Sequence, residues 1–159
     1  MMIKTPVNWR CFSIVEKNID DHIYDITKMY NDYRETNPVS TDIMKRIILS
    51  DSYIFWVVTD DTHKDLYGFL MFNKSNTPSY GEIELIYVNP DVRDCKVGEF
   101  LLKRVNKYCW RNGITTQILY RDITNVRLHL YYKRHGFKNY PIQDGDKSVK
   151  MFKHTDEAY

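Results

Sequence analysis

The chain has 159 residues, of which 43% are hydrophobic and 28% charged, so it is long enough for one domain with a hydrophobic core. The net charge of +2 argues against a dedicated nucleic-acid-binding domain, and no stretch reaches the roughly 18 apolar residues of a membrane span. The N-terminus lacks the apolar core of a signal peptide, and the cysteines lack C-x-x-C spacing, so we predict a cytoplasmic protein without disulfides or a metal site.

The first half of the sequence predicts two helices between strands. Residues 9–15 alternate weakly and indicate a strand. Apolar residues at helical spacing follow Asp20 and Asp21, and Asn37-Pro38 ends this helix. Ser40 or Thr41 can cap a second helix that runs to about residue 49. Tyr53–Thr59 and Leu66–Asn73 form a predicted hairpin around the polar turn 60–65, and 74–80 is a predicted loop.

The second half predicts a strand–helix–strand unit and a late hairpin. The strand 81–88 is broken by Asn89-Pro90-Asp91, and the helix Val97–Arg111 is ended by Asn112-Gly113. The strand 115–120 follows and should lie parallel to 81–88, because a helix connects the two. Asp122 or Thr124 can start a helix to about residue 134. Strands 137–140 and 148–153 complete the predicted sheet, with the turn 141–146 between them.

The turn between the strand 81–88 and the helix Val97–Arg111 is a candidate anion site. The first amides of a helix have no intrahelical partner, and the helix dipole favours negative charge beside them. The loop before this helix contains Arg93 and Lys96, and Gly98 lies in the first turn. A phosphate or pyrophosphate is the ligand that suits such a turn best.

Two sequence motifs carry a resemblance to a known family. The run V-N-P-x-x-R-x-x-K-x-G-E-x-L-L resembles the acyl-CoA-binding motif R/Q-x-x-G-x-G/A of the GNAT superfamily of N-acetyltransferases, with Arg93, Lys96 and Gly98 at the motif positions. Downstream, N-x-x-L-x-x-Y-Y-x-x-x-G-F from Asn125 resembles the family's N-x-x-A-x-x-[FL]-Y-x-x-x-G-F. The departure is Lys96, which replaces the first glycine of the loop. Its side chain either hinders the approach of a phosphate or lends charge to it.

The resemblance implies a fold and a domain organisation. The expected α/β fold is a single GNAT-like domain over 1–153, followed by a frayed tail 154–159. Its mixed, mostly antiparallel central sheet has about six or seven strands, is flanked by about four helices and splays between the fourth and fifth strands. The family's cofactor enters at that splay.

The resemblance also implies which residues hold the cofactor. Backbone amides between about residues 94 and 99 would cradle the diphosphate of acetyl-CoA, and the backbone at the end of the fourth strand would bind its thioester and pantetheine. The asparagine of the second motif would contact pantetheine; its alternative role is that of a residue in the first turn of the helix. The predicted cofactor-binding residues are Ile86, Val88, Arg93, Asp94, Cys95, Lys96, Val97, Gly98, Glu99 and Asn125.

Three residues are candidate catalysts. Glu82 and Glu84 lie two positions apart on one strand and so share a face, and partial burial would raise their pKa values towards the range of a general base. Either or both could deprotonate the acceptor amine; alternatively, both simply face solvent. Tyr132 matches a tyrosine with which the family often protonates the leaving thiolate. Tyr131 is expected to belong to the core.

The predicted function is acetyl-CoA-dependent transfer of an acetyl group directly to a primary amine of a small molecule or a protein, through a ternary complex. The alternative is a weak or inactive binding module that recognises a protein partner, which Lys96 favours. No nucleic-acid or membrane partner is expected, the acceptor is unidentified, and a homodimer stays open. The family shapes its acceptor site with the regions 34–41 and 141–147, which here supply Arg34, Glu35, Asp144, Asp146 and Lys147.

Overall fold

The computed structural model describes residues 9–34, 37–60, 65–74 and 79–158, so the middle of the predicted turn 60–65, most of the predicted loop 74–80 and Glu35 lie outside the described residues. The elements are β1 (Arg10–Ser13), α1 (Ile19–Arg34), α2 (Thr41–Ile48), β2 (Tyr53–Thr59), β3 (Leu66–Asn73), β4 (Tyr80–Val88), a 3-10 turn (Pro90–Cys95), α3 (Val97–Arg111), β5 (Thr116–Asp122), α4 (Val126–Arg134), β6 (Lys138–Asn139) and β7 (Ser148–His154). Among these helices, none is long and apolar enough to cross a membrane.

The strands form one seven-stranded sheet in the order β1-β2-β3-β4-β5-β7-β6. Neighbouring strands are antiparallel except β4 and β5, which are parallel and are joined through α3. This confirms the predicted crossover and the mixed, mostly antiparallel sheet. The last strand, β7, lies between β5 and β6 and pairs with both.

The sheet splays between its fourth and fifth strands, as predicted. In the described part of the chain, β4 and β5 pair only where Tyr80–Glu82 meets Thr116–Ile118. Beyond Glu82 the two strands separate, so β4 from Ile83 onwards has no partner on that edge. The edge therefore presents backbone amides and carbonyls to a gap in the sheet.

Each face of the sheet has its own hydrophobic core. The residues of β2 and β3 alternate between the two faces, and both faces are buried, which explains why these strands are apolar almost throughout. One core lies under α1 and α2 and contains Ile26, Phe55 and Phe69. The other lies under α3 and α4 and contains Leu101 and Tyr132.

A β-bulge interrupts β4 at Glu84. Phe72 of β3 pairs with Ile83, whereas its neighbour Met71 pairs with Leu85, so Glu84 is an extra residue with no opposite partner. Because of this extra residue, Ile83 packs in the core under α3 and Leu85 packs in the core under α1.

Four predicted boundaries need correction, and one of them is that of the strand predicted over 137–140, which covers only Lys138–Asn139. The strand predicted over 9–15 covers only Arg10–Ser13. The fourth helix starts at Val126 rather than at Asp122 or Thr124, because β5 continues to Asp122 and the Asp122 carboxylate accepts a hydrogen bond from the Thr124 amide at 2.8 Å. The tail predicted to be frayed from residue 154 is held at its start, because residue 154 still belongs to β7. The Thr155 amide donates a hydrogen bond to Thr115 O, and the Asp156 amide donates one to Asn106 Oδ1.

Candidate active site

The turn that follows β4 is built by local polar contacts. The Asn89 side chain accepts a hydrogen bond from the Asp91 amide at 3.0 Å, and Pro90 starts the 3-10 turn. Arg93 Nε donates to Val88 O at 3.3 Å and so anchors an exposed guanidinium at the end of β4. This contact places one predicted cation of the motif at the mouth of the gap. The side chains of Asp94 and Cys95 lie outside the part of the chain that the structure describes.

Lys96 keeps the backbone conformation of the glycine that it replaces. Its φ of 67° and ψ of 21° are left-handed, and it is the one non-glycine residue with positive φ in the described ranges. No side chain in those ranges caps α3, so the first-turn amides of Val97, Gly98 and Glu99 are left for another acceptor. An anion fits this turn, because its amides have no side-chain cap and a helix N-terminus favours negative charge, although Glu99 of the first turn already supplies some.

Tyr131, which the sequence predicted only as a core residue, contacts this turn through its hydroxyl. A Cβ added to Gly98 would lie 2.4 Å from Tyr131 Oη, so this hydroxyl rests directly on the first turn of α3. Burial, and to a smaller extent the charge of Glu99, raise the pKa of Tyr131 to about 12. The hydroxyl is therefore neutral and able to donate a hydrogen bond at neutral pH. The signal in the sequence was a tyrosine where the motif has Phe or Leu.

Ile86, Val88 and Asn125, three further predicted cofactor-binding residues, have side chains with structural roles. The side chains of Ile86 and Val88 pack against the core under α3, so only their backbone can serve a ligand. Asn125 caps α4, since its Oδ1 accepts a hydrogen bond from the Leu128 amide at 3.0 Å. Asn125 is therefore the N-cap rather than the first-turn residue of the stated alternative, and the side-chain nitrogen takes no part in the cap.

The two glutamates of β4 lie on the same face of the sheet, but they have different surroundings. Glu84 is exposed, and its Oε1 accepts hydrogen bonds from Asn73 Nδ2 at 3.0 Å and from Tyr53 Oη at 3.4 Å. Glu82 is half-buried; burial and then the charge of Glu84 raise its pKa, while Lys150 of β7 opposes the rise. Glu82 therefore has the environment of a general base and Glu84 that of its charged, hydrogen-bonded neighbour.

Tyr132 lies in the core under α4 with only 6% of its surface exposed. Burial is the largest cause that raises the pKa of its hydroxyl. A neutral hydroxyl in this position can act as a proton donor.

Among the described residues of the predicted acceptor site, the side chains of two are held by contacts within the chain. Arg34 Nη1 donates to Tyr30 Oη at 3.2 Å, and its guanidinium lies 5.1 Å from the centre of the Tyr30 ring. Asp146 Oδ2 accepts a hydrogen bond from the Gln143 amide at 2.8 Å and so closes the β6–β7 turn. Neither contact selects an acceptor.

Comparison with known proteins agrees with this geometry. Residues 21–137, most of the chain, match the acetyltransferase (GNAT) family. One similar structure is the ribosomal-protein-S18-alanine N-acetyltransferase of Escherichia coli, with a TM-score of 0.69 and 18% identity over 95% of this chain and 96% of that one. A second is PaiA N-acetyltransferase of Thermoplasma acidophilum in complex with coenzyme A, with a TM-score of 0.71 and 17% identity over 93% of this chain and 99% of that one. A third is spermidine N-acetyltransferase of Vibrio cholerae in complex with CoA and spermine, with a TM-score of 0.73 and 15% identity over 93% of this chain and 96% of that one. At these identities the likeness establishes the fold. A search of curated protein sequences found no match.

Proposed function

Because the chain belongs to the acetyltransferase (GNAT) family, we propose that it transfers an acetyl group from acetyl-CoA directly to a primary amine. The observation that carries the proposal is the half-buried Glu82 carboxylate on a strand whose free edge leads to an uncapped helix N-terminus. Acyl transfer to an amine needs a held donor, a polarised carbonyl and a base, and these three features supply them at one gap.

The residues around the gap suit acetyl-CoA, which brings an acyl group activated as a thioester. The amides of Val97, Gly98 and Glu99 would hold its diphosphate, with Arg93 adding positive charge from the end of β4. Hydrogen bonds to a charged group contribute roughly 1.5–3 kcal/mol each, so three amides would be enough to bind the diphosphate specifically. The unpaired backbone of Ile86 and Val88 would hold the pantetheine arm and polarise the thioester carbonyl.

Protons would move through two side chains. Glu82 would accept the proton that the amine loses as its nitrogen forms the new bond to the acyl carbon. Tyr132 would donate a proton to the sulfur as the carbon–sulfur bond breaks. Glu84, held by Asn73 and Tyr53, keeps negative charge beside Glu82 and so favours the protonated form that Glu82 reaches during the reaction.

The test is an acceptor screen with acetyl-CoA, read by the release of free thiol. The acceptors should include peptides with a free N-terminus, lysine peptides and polyamines, since the similar structures include enzymes named for a ribosomal protein and for spermidine. We expect turnover with at least one primary amine, and a kcat/KM at least about 100-fold lower with Glu82→Gln. Turnover that Glu82→Gln leaves within a few-fold of wild type would contradict the assigned base.

The second candidate is a binding module with little or no catalysis. The Lys96 side chain and the Tyr131 hydroxyl at Gly98 favour it, because both crowd the turn that should receive the diphosphate. A thermal-shift measurement separates the two. A ligand at 100 times its Kd stabilises by roughly 2.7 kcal/mol, so the absence of a shift with millimolar acetyl-CoA would point to the binding module.

A further inference from the structure

A second cleft lies at the other end of α3, away from the gap between β4 and β5. It has a volume of about 450 Å³ and is bounded by the end of β1 with the residues after it, the start of β2 and the C-terminal half of α3. We call it the basic cleft, because every charged residue that lines it is basic: Arg104, Lys107 and Arg111. Its size is within the usual range for small-molecule sites.

The three cations form one stripe along α3 without counter-ions. Arg104 and Lys107 are three positions apart and Lys107 and Arg111 four, which are the spacings at which like charges on a helix repel each other. Within the described part of the chain, none of the three forms a salt bridge, whereas Lys103, on the same helix, pairs with Glu99. The three positive charges thus line one concavity, where low-dielectric walls strengthen their field.

The other walls of the cleft are uncharged and partly aromatic. Trp56 of β2 and Tyr108 of α3 contact each other edge to face, with ring centres 5.5 Å apart, and both line the cleft. Arg104 lines the cleft opposite Ser13 and Val15, at and just after the end of β1.

We propose that the basic cleft binds a small organic polyanion, a molecule with two or more carboxylate or phosphate groups on a compact body. The stripe of Arg104, Lys107 and Arg111 supplies charge for more than one anionic group, and the Trp56–Tyr108 pair supplies an apolar surface for the body. Arginine pairs bidentately with both carboxylate and phosphate, so the geometry fits either source of charge. The inference does not depend on the proposed acetyl transfer.

The experiment titrates the full-length protein, saturated with CoA, by isothermal titration calorimetry. Citrate and inorganic pyrophosphate are the two probes, and they distinguish carboxylate from phosphate ligands; acetate and spermidine are the negative controls. We expect saturable binding of one molecule of citrate or pyrophosphate per chain. In a triple variant with Arg104→Gln, Lys107→Gln and Arg111→Gln, affinity should fall at least about tenfold, the loss expected when charged hydrogen-bond donors are removed.

A matched variant removes three exposed cations outside the cleft: Lys17→Gln, Arg46→Gln and Lys138→Gln. It should bind the probes like wild type, and this comparison locates the site whether or not CoA occupies the first turn of α3. Circular dichroism and thermal melting check the fold of both variants, and the three single variants replace the triple one should it unfold. Failure of both probes to bind, or equal loss of binding in the two triple variants, overturns the proposal.

Discussion

The left-handed backbone at Lys96 predicts that glycine at this position makes the protein more stable, and its φ angle allows an estimate of how much. Its φ of 67° brings a Cβ too close to the following carbonyl oxygen, which costs a non-glycine residue roughly 1–2 kcal/mol. Replacing Lys96 by Gly removes this cost but adds about 0.4–1 kcal/mol of chain entropy to the unfolded state. The difference leaves Lys96→Gly about 1 kcal/mol more stable than wild type, or about 2–4 °C in Tm for a chain of this length.

Lys96→Ala is the matched control, because it removes the charge and keeps the Cβ. We expect its Tm to stay within about 1 °C of wild type, since the exposed lysine forms no ion pair in the described part of the chain. Thermal unfolding of the three proteins, followed by circular dichroism, measures the comparison. A Lys96→Gly protein no more stable than Lys96→Ala would refute the assignment of strain to this position.

The same pair of variants decides what the Lys96 side chain does to CoA binding. We expect both to weaken CoA by about 2–5-fold, the effect of removing one exposed cation near an anion, which is worth roughly 0.4–1 kcal/mol. Tighter binding in Lys96→Gly alone would instead mean that the side chain obstructs the diphosphate. Calorimetric titration with CoA measures both.

Three further predictions test the base, the acid and the packing at the helix start. Glu82→Gln should lower kcat/KM at least about 100-fold, the scale of general-base catalysis. The pKa of Glu82 is raised in the folded protein, so wild type loses stability as pH rises through that pKa. The difference in Tm between Glu82→Gln and wild type should therefore grow in favour of the variant between about pH 4 and pH 7. A Tm difference that does not change with pH would contradict the raised pKa. Tyr132→Phe should lower kcat about 100-fold with KM for acetyl-CoA nearly unchanged, and an unchanged kcat removes its role as acid. Gly98→Ala should cost about 1–3 kcal/mol in denaturant unfolding, and adding Tyr131→Phe should restore most of it, because only the hydroxyl comes within 3 Å of the new Cβ. No recovery in the double variant would mean that the strain lies in the backbone.

Local signals in the sequence were sufficient for most elements. Ser40 caps α2 through its hydroxyl, which accepts from the Ile43 amide at 3.2 Å, as capping preference predicts. The parallel pairing of β4 with β5 was predictable from the helix that connects them. The insertion of β7 between β5 and β6 did not, because a strand's neighbours are set by long-range pairing, and β6 pairs only through Lys138 and Asn139.

The candidate site was predictable where a motif fixes the backbone and not where side chains meet across elements. Lys96 adopts the conformation that a glycine motif position requires, although its identity gives no sign of it. Tyr131 and Gly98 are 33 positions apart in the sequence, so their contact depends on how α4 packs on α3. The cap that Asn125 forms was not predicted, since the alternative to a ligand contact was a residue in the first turn of the helix, whereas β5 continues to Asp122 and the helix starts only at Val126.

The bulge at Glu84 explains why two glutamates on one strand are not equivalent. Strict alternation predicts equal environments for residues two apart, and it cannot place Ile83 and Leu85 in different cores, as the structure does. The extra residue resolves this conflict by letting β4 change which face it presents, at the point where it also leaves β5. Glu84, with no opposite partner, reaches Asn73 and Tyr53, whereas Glu82 stays in the paired segment and is partly buried. The bulge thus accounts for the different environments of the two carboxylates, Glu82 being half-buried in the paired segment and Glu84 exposed beyond it.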